Sequence, residues 1–167
     1  MRRTSVFALA VTFVWLVGGS TVWAQKYDDK EHAELARALK GVKTSLEKGL
    51  SASESQGKPI SGKFEVEDGK LQLSVYTMKG EKFSEVIVDH KTGKTAKTEA
   101  ITGGEDLSAA KAQSGAMAKA KVSLRNATEK AVKANKGFRA VSVTPSLKDG
   151  HPVAEITLVK GDEFKTA

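Results

Sequence analysis

Between Glu31 and Ser51 the apolar residues Leu35, Leu39, Val42, Leu46 and Leu50 recur at steps of four, three, four and four, while Glu34, Arg37 and Lys48 fall on the opposite side. This spacing predicts one amphipathic helix, because positions three and four apart share a helical face. Gly57-Lys58-Pro59 is its expected stop: glycine suits a left-handed exit and proline cannot continue the ladder. The period then changes to two. Phe64 and Val66 alternate with Glu65 and Glu67, and Leu71, Leu73 and Val75 alternate with Gln72, Ser74 and Tyr76, as in strands with one buried face. Asp68-Gly69 reads as a hairpin turn, and Lys79-Gly80-Glu81 as a second one leading into Phe83 to Val88, since glycine tolerates the positive φ of tight loops.

The pattern recurs. Shifted by 81 positions, Asp68-Gly69 falls on Asp149-Gly150, Lys79-Gly80 on Lys160-Gly161 and Phe83 on Phe164. Upstream, an alanine-rich stretch from Leu107 to Asn135 puts Met117, Ala120, Leu124, Ala127 and Ala131 on one helical face and stops at Gly137. Val141, Val143, Ala154, Ile156 and Leu158 supply alternating strand positions, but the third strand is cut off at Thr166-Ala167. The expected fold class is therefore α+β: two repeats of one helix packed on a three-stranded antiparallel sheet, the second sheet incomplete or its last strand short. The expected segments are 25–97 and 107–167, with the polar, Gly103-Gly104-containing stretch 98–106 as linker. A half of roughly 65 to 75 residues has a marginal core alone. The halves are expected to pack together, or each to pair with a second chain in a homo-oligomer.

Residues 1–24 change the picture of where this fold works. Arg2 and Arg3 precede an apolar run from Val6 to Val17, followed by a small and polar segment ending Val22-Trp23-Ala24. That is the layout of a secretory signal peptide cleaved between Ala24 and Gln25, and the run is short of the roughly 20 residues of a spanning helix. The expectation is a periplasmic or secreted protein without a membrane span after cleavage. Losing both arginines lowers the formal net charge from +7 to +5. Lysines interleaved with acids at so mild a surplus indicate a solvated surface, not a nucleic-acid groove. The absence of cysteine rules out disulfides, thiolate metal sites and thiol catalysis.

The succession of helix, glycine stop, Asp-Gly hairpin and glycine hairpin, ending in "EVIVDHKTGK", resembles the PepSY domain. Val88, Asp89, Thr92, Gly93 and Lys94 match that family's most recognisable segment in order; the second repeat lacks it. The resemblance implies a small non-catalytic module of exported or membrane-anchored bacterial proteins, including propeptides of thermolysin-type metalloproteases, where it is linked to peptidase inhibition and folding assistance.

Chemistry read directly from the residues agrees. An Asp leaving a strand can accept backbone N–H bonds two residues on, Thr92 can add a hydroxyl bond and Gly93 a positive φ, so the motif reads as a structural turn. Lys91-Thr92-Gly93 and Ser45-x-x-Lys48 also spell penicillin-binding-protein motifs, but Ser-x-x-Lys arises by chance about twice in such a composition, as at Ser108 and Lys111. His32, His90 and His151 stand apart from one another at no ligand spacing. Asn126-Ala127-Thr128 is a glycosylation pattern inside an expected helix. No catalytic, cofactor-binding or metal-ligating set is expected. The expected function is contact with a protein or peptide of the cell envelope, inhibitor-like or chaperone-like; the alternative is a periplasmic small-ligand or metal-ion binder. The truncated third strand of the second repeat suggests an unpaired edge for an extended peptide.

Overall fold

A computed structural model describes residues 29–167; the expected signal peptide and its cleavage site lie outside them. In chain order the elements are α1 (Asp29–Ala38), a 3-10 turn (Leu39–Gly41), α2 (Leu46–Ser53), β1 (Lys58–Glu67), β2 (Lys70–Lys79), β3 (Lys82–Val88), β4 (Thr95–Ile101), α3 (Gly104–Lys119), α4 (Leu124–Ala134), β5 (Arg139–Lys148), β6 (His151–Lys160) and β7 (Glu163–Thr166). The fold is α+β. No helix among the described residues is long and apolar enough to cross a membrane.

Each expected single helix is a pair. The chain becomes extended at Val42 (φ −84°, ψ 124°), and Ser45 caps α2 by accepting the Lys48 N–H at 3.3 Å. The second break is the same: α3 ends at Lys119 and Ser123 caps α4 through the Asn126 N–H at 3.2 Å. A serine side chain at the cap satisfies a donor that has no partner inside the helix. The apolar steps run on through both breaks because the two members of each pair line one core.

The expected layout of two three-stranded sheets is also corrected. All strands among the described residues form one antiparallel seven-stranded sheet in the order β4-β3-β2-β1-β5-β6-β7. The joint is β1 against β5, where Gly62 faces Val143 and Lys63 faces Ser142. The 81-residue shift holds in register: Glu67↔Lys70 answers to Lys148↔His151, Met78↔Phe83 to Val159↔Phe164, and the bulge between Pro59 and Ser61 to that between Ala140 and Ser142. Gly62 pairs with its own counterpart, so the halves meet about an approximate two-fold axis. Joining them pairs the middle of the β1 and β5 ladders, Gly62-Lys63 with Ser142-Val143, which separate sheets would leave open.

The stretch 98–106, expected as a linker, is not one: Thr95–Ile101 is the fourth strand, paired with β3 from Phe83↔Ile101 to Val88↔Thr95. At the other end β7 has four residues, extended by Ala167, which exchanges backbone bonds with Ile156 at 3.0 and 2.9 Å.

Leu73, Val75, Val86 and Val88 share one face of the sheet with Val143, Ile156 and Leu158, all buried. Here α2 approaches so closely that a Cβ on Gly49 would lie 2.5 Å from Leu73 Cδ2, and α4 packs beside α2 and over β5 and β6. The alternate residues reach the other helices. Tyr76 Oη donates to Asp106 Oδ1 of α3 at 2.8 Å, and Ser114 Oγ to Met78 Sδ at 2.8 Å. Meanwhile His32 of α1 stacks on Phe164 of β7 with centroids 4.0 Å apart. The first helix of each half thus also packs on strands of the other half, and the core is one cluster from Leu35 to Val159.

Candidate functional site

Val88, the last residue of β3, is buried, and Asp89 leaves the strand into a closed turn. Asp89 Oδ1 accepts the N–H groups of Lys91 and Thr92 at 2.8 and 2.7 Å, and its carbonyl accepts that of Gly93 at 2.7 Å. The Asp89 N–H donates to the Lys94 carbonyl at 2.8 Å, and Lys94 N–H to Thr92 Oγ1 at 3.4 Å. Gly93 has φ +74°, and a Cβ there would come within 3.2 Å of Thr44 Oγ1. Thr44 N–H in turn donates to the His90 carbonyl at 3.2 Å. These bonds close β3 onto β4 and fix the turn against the loop between α1 and α2.

The Thr92 and Lys91 N–H groups hold the Asp89 carboxyl below its ordinary pKa. A folded value below the unfolded one means the turn contributes fully above the unfolded carboxylate range and loses its contribution as pH falls through the folded value. Asp89→Ala should therefore lower the melting temperature at neutral pH, with the gap to wild type closing as pH falls through the lowered folded value. Melting curves across pH 2–7 check this; a gap independent of pH would assign the loss to something other than the carboxylate.

The hairpin residues serve the sheet. Asp68 (φ 49°) with Gly69 (φ 70°), and Asp149 (φ 51°) with Gly150 (φ 78°), have positive φ at both central positions, while Gly80 (φ 62°) and Gly161 (φ 60°) each lead a two-residue loop. The turns are spread over the sheet and converge on no common point. Among the described residues no three His, Asp or Glu side chains are grouped to hold a metal ion.

What the sheet does present is an edge. Among the described residues the outer ladder of β4 faces no other strand, and of its seven residues only Ile101 is partly buried. Beside it lies a hollow of about 430 Å³ lined by Glu85, Glu99, Asp106 and the Ala100–Gly103 segment. Burial, with Glu65 nearby, raises the Glu85 pKa. The Ser74 hydroxyl, which donates to Glu65 Oε1 at 2.9 Å, opposes that rise. Burial and the bond to Asp106 push the Tyr76 phenol up as well. At the rim, Lys97 Nζ and Glu99 Oε1 pair at 2.8 Å.

The edge expected in the second half is poor by comparison. Ile156 turns both backbone groups outward to Ala167, so the next outward positions are Ala154 and Pro152. Proline has no N–H, which leaves one donor beyond β7. The edge that matters spans the end of the expected first repeat and the start of the expected linker, where Thr95 to Ile101 contains neither glycine nor proline and alternates small or hydroxyl residues with charges.

No family model, curated protein or solved structure matches the chain.

Proposed function

We propose that the protein is an exported, non-catalytic PepSY-like module that acts by contact with a protein or peptide of the cell envelope, using β4 as its docking edge. The observation that carries the reading is the open seven-residue ladder of β4. A strand without a neighbour offers backbone donors and acceptors that an extended segment can pair, and side-chain pockets beside it add selectivity. The acidic hollow is such a pocket, suited to a partner with a basic side chain next to its paired strand. The Val88-Asp89-Thr92-Gly93-Lys94 resemblance and the signal-like N-terminus support the envelope setting.

An array of extended peptides of varied charge should retain binders among those carrying Lys or Arg. Bound peptide should slow hydrogen exchange at alternate amides of Thr95–Ile101. Binding that leaves those amides unchanged would place the contact elsewhere. Turnover of a substrate by the purified protein, abolished by one side-chain substitution, would end the non-catalytic reading.

A further inference from the structure

We infer that the strand received by the β4 edge is β4 of a second copy, giving a two-fold dimer with one continuous sheet; this rests on reading β4 as the docking edge. The strand reads Thr95-Ala96-Lys97-Thr98-Glu99-Ala100-Ile101, and it is self-complementary about its centre. With a two-fold axis through Thr98, antiparallel pairing sets Lys97 opposite Glu99 of the second copy and Glu99 opposite its Lys97. Ala96 meets Ala100 and Thr98 meets Thr98, while Thr95 lies beyond the bulge at which the β3–β4 register shifts.

The charges lie on one face, opposite Ile87 and Glu85 of β3, while Ala96, Thr98 and Ala100 take the other. On the first face, the existing Lys97 to Glu99 pair at 2.8 Å becomes an alternating four-charge cluster across the axis. On the second, only methyl and hydroxyl groups approach, which neither clash nor lose much rotamer freedom on ordering.

The register is selective. Because a side chain must face one from the same side of the sheet, two-fold registers change in steps that move the axis by one residue along the strand. Moving it to Lys97 sets lysine against lysine, and moving it to Glu99 sets glutamate against glutamate, both unfavourable directly across a ladder. Only the Thr98-centred register pairs every charge at the strand centre with its opposite. The molecule already uses this kind of joint, since β1 meets β5 antiparallel about an approximate two-fold. The opposite edge of the sheet is blunted by the short β7 and by Pro152, so pairing through β4 closes as a dimer and does not propagate into a fibre.

Sedimentation equilibrium of the chain from Gln25 to Ala167 should show a monomer–dimer equilibrium, with β4 amides protected at high concentration and not at low. Lys97→Glu and Glu99→Lys should each weaken dimerisation about tenfold or more, since each sets two like-charge pairs across the axis. An equimolar mixture of those two variants should recover dimers, as should the double exchange Lys97→Glu with Glu99→Lys. Both positions are exposed, and an unchanged far-UV spectrum shows that each variant folds. A dimer indifferent to both single exchanges would overturn the assignment. So would a monomer at every concentration: if added peptide then slows the β4 amides, the docking edge stands without the second copy, and if nothing slows them, both readings fall.

Discussion

Phe64→Ala should lower the unfolding free energy by about 3–5 kcal/mol, the range for truncating a buried aromatic ring. Phe64 is fully buried on β1, the strand through which the two halves join, and it faces Leu73 across the ladder to β2. The surroundings cannot collapse into the space it leaves, because β1 is pinned on both sides by neighbouring strands. The ring also underlies the Arg139 guanidinium, 5.5 Å from its centroid. That group is half-buried, its pKa lowered by burial, and it donates to the Thr44 carbonyl at 3.0 Å. Losing the ring would leave this cation with less to face than before. The position 81 residues on is Pro145, so the other half carries no ring at the corresponding place. Chemical denaturation should show a lower midpoint at unchanged slope, and Phe64→Leu should recover most of the loss by keeping apolar volume. An unchanged midpoint for the alanine variant would remove Phe64 from the core.

Parts of this fold are legible in the sequence for a simple physical reason: β2 and β6 turn large apolar residues to one face of the sheet, so Leu73, Val75, Ile156 and Leu158 announce themselves by alternation. The Asp-Gly pairs at 68–69 and 149–150 stand at the strand junctions of both halves for a backbone reason, their positive φ. The helix breaks were masked because apolar spacing continues across them; the informative residues were Ser45 and Ser123, which look like ordinary surface serines until their caps are seen. The part of β4 from Thr98 to Ile101 falls in the expected linker because nearly all β4 side chains meet solvent, so no hydrophobic period marks the strand. Whether two sheets stay apart or join is decided by backbone groups of β1 and β5, which leave no signature in side-chain type. The candidate site inherits both blind spots, being an edge of a polar strand.

Dividing the chain at Thr102–Gly103 should give two pieces, neither of which folds alone. The first piece would expose the outer ladder of β1 and would lose α3 from Tyr76 and Met78. The second would lose α1 from Phe164 and the Thr44 carbonyl from Arg139. Each would be near the size at which a single core barely offsets chain entropy, and here the core is shared. Residues 25–102 and 103–167, expressed separately, should show collapsed NMR dispersion and no cooperative melt, and mixing should restore both. The intact chain should melt in one transition with equal calorimetric and van't Hoff enthalpies. A cooperative melt of the first piece by itself would mean that crossing the helices between halves adds rigidity to a unit that is already stable. Two resolved transitions in the intact chain would place the weak point at the β1 to β5 joint, where only Gly62 and Lys63 pair across it.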